Sequence, residues 1–317
     1  MKRMFVLSGR AAFGALSLTV VAAQQAPRPA ASAIKVQKLA DNLFVLNALA
    51  GGAGGNTSVF VTATGVVVVD TKNPGWGQPL LEVIKTLTPK PVTLIVNTHT
   101  HGDHVSGNVE FPATVEVVTH ENTKANMMEM RPASFVAQPA SGPPPNIFTQ
   151  HNGTGMPKRT FKDSMTIGRG NDRIELHYFG RAHTNGDAMV LFPAARVLHM
   201  ADVFPTKGLP GMDANNGGTG VGYADTLTKA AEFAEKNKVE TIVNGHNETT
   251  TTPADLREYI SYVRDFVRHV EEGKKAGKSV DDVAKAWTTP AKYPGYEAVP
   301  VPVRVRADAE LIYKELK

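Results

Sequence analysis

Residues 99–104 read His-Thr-His-Gly-Asp-His, directly after the apolar run TLIVNT (93–98) and directly before VSGN (105–108). The chain has 10 histidines in 317 residues, and three of them stand in these six positions beside an aspartate. The preceding run has the length and β-branched content of a buried strand. The hexapeptide therefore sits beyond a strand's carboxyl end, where sheet proteins tend to build sites.

Three other strand ends carry the same residue types. His183 lies in GRAHTNGD after LHYF, Asp202 in HMADVF after RVLHM, and His246 in NGHNE after TIV. Imidazole and carboxylate are the donors that suit zinc when thiolate is absent, and this chain has no cysteine. The alternating His99 and His101 can reach one ion from an extended loop, while Asp103 and His104 turn toward a second. Adding His183 to the first group and His246 to the second gives three protein ligands per metal, and Asp202 fits between the ions as a bridge. His120, His151, His177, His199 and His269 read as structural residues, although His199 sits close to Asp202.

Around these loops the sequence alternates short apolar runs with turn signals. LFVLNAL, TSVFVTA and GVVVVD read as strands, followed by a helix with Leu80, Leu81, Ile84 and Leu87 on one face, then the strand VTLIVN. The second half repeats this grammar: SMTIG, RIELHYF, AMVLFP and RVLHM read as strands. A helix from about Asp225 to Lys236 and the strand ETIVNG follow. Leu256, Tyr259, Ile260, Val263, Phe266, Val267 and Val270 keep helical spacing over four turns. Strands, a helix and one more strand in each half suggest an internal duplication, and predict an α/β fold of two packed sheets with helices outside. Residues 131–160 hold six prolines without periodicity and read as a surface insertion.

The first 23 residues differ from the rest. Lys2, Arg3 and Arg10 precede the apolar stretch AAFGALSLTVVAA, with no acidic residue among them. This is the shape of a secretory signal, with Val21-Ala22-Ala23 as cleavage site and Ala31-Ser32-Ala33 as a second candidate. A membrane span needs roughly 20 apolar residues, so no stable membrane anchor is expected. The expected location is periplasmic or secreted. Residues 24–35 read as a flexible lead-in, and 36–317 as one domain. Removing the signal takes the net charge from +4 to +1, and no long basic run remains to bind nucleic acid. The expected partner is a small-molecule substrate, and the oligomeric state is left open.

HTHGDH with His183, Asp202 and His246 resembles the metallo-β-lactamase superfamily of hydrolases over roughly residues 36–250. The resemblance implies an αβ/βα four-layer sandwich of two mixed β-sheets with helices on the outer faces. It also implies two metal ions in the cleft, zinc or alternatively iron or manganese, with a hydroxide on the metals as nucleophile. Asp103 would then hold the second metal and orient the hydroxide, acting as the catalytic carboxylate. Asp70, which ends VVVVD, and Asp187 are candidates to fix ligand imidazoles from behind. The Gly-rich stretches 51–56 and 208–223 are expected to flank the cleft, with Asn215, Asn216 and Tyr223 as substrate contacts.

One departure is informative. Cysteine-containing metallo-β-lactamases have a thiolate where Asp202 stands, and another branch has serine. An aspartate there resembles glyoxalase II-type thioesterases and lactonases. The expected activity is opening of an ester, lactone, thioester or β-lactam carbonyl. The alternatives are a mononuclear-iron sulfur dioxygenase-type oxidoreductase on the same fold and a non-catalytic metal-binding protein.

Overall fold

The strands fall into two sheets. A computed structural model describes residues 30–48, 52–137, 139–298 and 300–316. The leader at 1–23 lies outside the described residues. The first sheet holds β1 (Ile34–Ala40), β2 (Leu43–Ala48), β3 (Thr57–Val61), β4 (Val66–Val69), β5 (Val92–Val96), β6 (Glu116–His120) and β7 (Arg159–Phe161), in sequence order across the sheet. Neighbours are antiparallel from β1 to β4 and parallel from β4 to β7. The second sheet runs in the order β12 (Thr241–Asn244), β11 (Val197–Ala201), β10 (Met189–Phe192), β9 (Ile174–His177), β8 (Ser164–Ile167). It is antiparallel except for the β11–β12 pair. Both sheets are mixed.

Helix α1 (Gly77–Leu87) returns the chain from β4 to β5. Short α2 (Gly102–Val105), α3 (Glu121–Glu129) and α4 (Ile147–Gln150) complete the first half. In the second half α5 (Tyr223–Lys236) carries the chain from β11 to β12, and α6 (Pro253–Lys275), α7 (Val280–Ala286) and α8 (Pro302–Glu315) close it. Each half thus contains an antiparallel meander, a crossover helix and a parallel strand.

Three apolar clusters define the layers. Leu80, Val83 and Ile84 of α1 pack on Val59, Val66, Val68 and Ile95 from one face of the first sheet. The opposite face supplies Leu43, Val45, Phe60, Val67 and Val96, which meet Leu176, Val190, Phe192 and Val243 of the second sheet. Phe60 and Phe192 join across this layer with ring centroids 5.2 Å apart. The far face of the second sheet is covered by α5, α6 and α8 through Leu227, Tyr259, Val263, Phe266 and Ile312. The order is helix, sheet, sheet, helix. Burial of each such side chain contributes roughly 1.5–3 kcal/mol, so the layer between the sheets docks them whatever the cleft above it contains.

Three details correct the sequence reading. β1 begins at Ile34, two residues inside the stretch read as lead-in. The hexapeptide is only partly extended, because Gly102–Val105 turns into α2 with His101 as its N-cap. Residues 131–160 contain α4 and the start of β7, and several of them form a wall of the cleft.

Candidate metal centre

β5 delivers His99 and His101, and α2 turns the chain so that Asp103 and His104 face back across the same opening. β11 ends at Ala201, whose backbone is left-handed (φ 46°) where its ladder to β12 shifts register. That break releases Asp202 from the sheet. His246 follows β12, and His183 follows β9. The first sheet therefore supplies four of the seven expected ligands and the second sheet three.

The seven converge. His101 Nδ1 and His183 Nε2 are 2.9 Å apart, and the His99 ring lies 4.7 Å from that of His101 and 4.8 Å from that of His183. Asp202 stands between the groups: Oδ1 is 3.2 Å from His104 Nε2, while Oδ2 is 3.2 Å from His246 Nε2 and 3.7 Å from His183 Nε2. Asp103 Oδ2 lies 3.5 Å from His246 Nε2 and 3.8 Å from His104 Nε2. The donor atoms of His99, His101, His183 and Asp202 fall within 4.8 Å of one another, as do those of Asp103, His104 and His246.

What faces the centre is fixed from behind. His104 Nδ1 donates to Asp70 Oδ2 at 2.7 Å, and His101 Nε2 donates to Asp213 Oδ2 at 2.7 Å. His183 Nδ1 donates to the Gly211 carbonyl. His99 Nδ1 meets Thr98 Oγ1 at 3.0 Å, and that hydroxyl gives its own proton to Asp70 Oδ2 at 2.7 Å. Each of these four outer nitrogens meets an acceptor, so the inner nitrogen is the one that presents a lone pair whenever the ring is neutral. His99 Nε2, His104 Nε2 and Asp202 Oδ1 are buried without a hydrogen-bond partner, an arrangement that costs free energy unless a cation satisfies it.

Burial and charge divide the imidazoles into a neutral set and a cationic one. Burial and the crowding imidazoles of His104, His101 and His183 hold His99 well below the usual histidine range. Burial, with His101 beside it, brings His183 down to about 4. Burial would also lower His104, but Asp202, Asp103 and Asp70 reverse this and hold it well above. Burial would raise Asp202, yet His246 and His104 hold its carboxyl well below the usual range.

Backbone strain and close approach surround the site. Asp70 (φ 62°) and Lys72 (φ 68°) are left-handed, the kind of cost that persists where packing over-determines the chain. Lys72 is fully buried and donates from Nζ to the Gly55 carbonyl at 2.6 Å. A Cβ on Gly55 would fall 2.1 Å from His104 Cε1, and one on Gly245 would fall 1.9 Å from Asp202 Oδ1. Only glycine lets these loops lie so close to the ligands.

Some expected contacts are placed elsewhere. Asp187 reaches no ligand imidazole; it accepts the Thr184 N–H at 2.9 Å and the Thr184 hydroxyl, bracing the loop behind His183. Asn216 is buried and donates to Asp213 Oδ2 at 2.6 Å, and Asn215 donates to the Pro132 carbonyl at 2.8 Å. Tyr223 is fully buried at the start of α5, with its hydroxyl donating to the Asp202 carbonyl at 3.1 Å. None of these three is among the residues that line the cleft. Gly51 lies outside the described residues, and Gly54 and Gly55 lie against Asp103 and His104. From the second glycine-rich stretch, Gly211 lines the opening.

The cleft itself is a cavity of about 650 Å³. Asp103, His101, His183, Asp202 and His246 form its floor, and Pro132, Phe135, Val136, Pro139, Pro144 and Pro145 form one wall. Phe135 touches the site directly, its ring 5.8 Å from that of His101 and 5.7 Å from that of His183. Asp213, Thr98, Lys72 and Phe135 were not found by sequence reasoning. The GMDANN stretch carried a signal for Asp213, since an acid flanked by glycine and asparagines can end a loop against a ligand.

The family described as the metallo-beta-lactamase superfamily matches residues 50–246. Among curated proteins, the chain is 29% identical over 143 residues to the 2,4-dinitroanisole O-demethylase subunit alpha of Nocardioides sp. (strain JS1661), covering 44% of this chain and 38% of that one. It is 33% identical over 73 residues to the Homo sapiens metallo-beta-lactamase domain-containing protein 1, covering 22% and 27%. These matches span well under half of each relative. Among solved structures, a metallo-beta-lactamase from Pontibacter korlensis superposes with TM-score 0.57 at 20% identity, over 73% of this chain and 99% of that one. The DIM-1 metallo-beta-lactamase gives 0.57 at 16% identity, over 73% and 97%.

Proposed function

The chain belongs to the metallo-beta-lactamase superfamily, and from that premise we propose that it is an exported di-zinc hydrolase that opens an ester, lactone, thioester or β-lactam carbonyl of a small molecule. The observation that carries this reading is the convergence of seven imidazole and carboxylate donors, with the outward nitrogens of His99, His101, His104 and His183 already hydrogen-bonded. His99, His101 and His183 would hold one cation, Asp103, His104 and His246 the other, and Asp202 would face both. Zinc bound there supplies Lewis acidity and brings the pKa of water toward roughly 7.

The remaining steps belong to the chain's own residues. Asp103 is partly exposed to the cleft, so its carboxylate can orient an attacking water and accept its proton. Asp70 and Asp213 hold His104 and His101 in one tautomer throughout. Phe135 and the proline wall exclude bulk water from the floor and offer an apolar face to the substrate body. Aspartate at 202 favours ester, lactone and thioester substrates over β-lactams.

The similarity to a protein named as an O-demethylase adds an aryl methyl ether to the substrates that merit trial. The export reading rests on the basic and apolar start of the sequence. Among the described residues no helix is long and apolar enough to cross a membrane. Protein recovered from the periplasm or medium of an expressing cell should start near Gln24, and an intact Met1 would count against export.

The deciding experiment measures metal content and turnover of lactones, thioesters, phosphodiesters, β-lactams and aryl methyl ethers by wild type and Asp103→Asn side by side. Two zinc ions per chain and carbonyl hydrolysis are expected, with Asp103→Asn lowering kcat far more than it raises KM. One iron per chain with redox turnover would point to the dioxygenase reading. Full metal with wild-type kcat in the variant would remove Asp103 from its role.

A further inference from the structure

The cleft has a second chemical feature well away from the ligands. Arg304 projects from α8, beyond the residues matched by the family, and lines the same opening as Asp103 and Phe135. Its guanidinium carbon lies 5.8 Å from the Phe135 ring centroid, and Phe135 in turn packs on His101 and His183. One aromatic ring therefore separates the cation from the metal ligands.

Among the described residues no carboxylate comes within ion-pair distance of it. Among the described residues the Arg304 side chain makes one hydrogen bond, from Nη1 to the Leu209 carbonyl at 3.2 Å, and its Nε is buried without a partner. Asp308, one turn further along α8, accepts the Met212 N–H at Oδ1, 2.8 Å away. Burial pushes the Asp308 carboxyl well above the usual range, even though the Met212 N–H and the charge of Arg304 act to lower it. The other arginine at the opening, Arg131, is paired with Glu129 and donates to the Asn215 carbonyl.

A guanidinium steadied by one carbonyl and one aromatic face is arranged to receive a planar anion through its remaining N–H groups. We propose that Arg304 is a specificity-determining residue that binds a carboxylate on the substrate, one aromatic ring's width from the carbonyl that reacts at the metal centre. This rests on the hydrolase reading and narrows it: the substrate class is a carboxylate-bearing ester or lactone with an apolar body between its two polar ends. The apolar body lies along Phe135 and the proline wall.

The test uses para-acetoxyphenylacetate and its uncharged isostere para-acetoxyphenylacetamide with the zinc-loaded protein. Wild type should prefer the anionic ester at least tenfold in kcat/KM. Arg304→Gln should shrink that preference by about 10- to 100-fold, chiefly through KM, and Arg304→Lys should restore part of it. Equal use of both esters by wild type, or an equal loss on both in Arg304→Gln, overturns the proposal. Hydrolysis of neither ester by zinc-loaded wild type would count against the hydrolase reading itself. In that event, calorimetric binding of para-hydroxyphenylacetate still decides the role of Arg304: weaker binding to Arg304→Gln supports it, and equal binding overturns it.

Discussion

Asp213 Oδ2 takes the Nε2 proton of His101 and the amide proton of Asn216, which decides the nitrogen His101 shows to the centre. An amide in its place could itself donate and hold the ring in the wrong tautomer. Asp213→Asn should therefore weaken metal binding about 10- to 100-fold, read by competition with a chromogenic chelator; unchanged affinity would show that His101 needs no such partner. His199 offers a different kind of test. Burial lowers it to about 4 from an ordinary value of 6.5, so the folded state favours its neutral form. The stability it contributes is present above 6.5 and lost as pH falls toward 4, about 3 kcal/mol in all. Metal-free wild type should lose melting temperature more steeply than His199→Gln across that window, and parallel curves would refute the shift. The convergence of the seven donors was legible in the sequence because their residue types cluster at strand ends. Asp213 was not, because it meets His101 across 112 positions, and the glycine and asparagines around it mark a loop without marking its partner. Lys72 was invisible for another reason: a lysine's burial is a property of the fold and not of its spelling.

At the scale of elements, the loops after β11 and β12 approach each other so closely that Gly245 has no room for a side chain. Gly245→Ala should displace Asp202, cost roughly 1–3 kcal/mol of stability and leave a chain that retains its circular dichroism but binds less metal. Wild-type metal content at wild-type melting temperature would show that the loop can yield. The strands with dense β-branched runs were legible, as were α1, α5 and α6 with their regular apolar faces. β1 was not, because Lys35, Gln37 and Lys38 break its apolar pattern at the sheet's edge. β6 and α3 follow one another without a turn signal, and β7 is three residues long. α8 presents a weak stripe of Val305, Ala309 and Ile312 between charged residues, so neither the helix nor Arg304 at the cleft could be read in advance.

For the whole molecule, each expected cation would join donors from both sheets, whereas the apolar layer beneath already docks them. Chelation should accordingly lower the melting temperature without unfolding the protein at ambient temperature. A native-state ligand at a hundred times its dissociation constant contributes about 2.7 kcal/mol. An identical melting curve after verified removal would count against the site, and complete unfolding at ambient temperature would mean that the apolar layer is weaker than its burial implies. The two-sheet plan was legible because both halves repeat one order of elements; the proline wall was not, since its position over the cleft depends on packing between segments distant in the chain. The spread of the donors from position 99 to position 246 has a consequence in time. Closing loops of that length precedes any reward from the contacts they make, so the cage exists only after β12 has paired and the halves have met. A chain threaded unfolded through a membrane would carry no cation with it, and the metal it works with would be chosen by the compartment in which it folds.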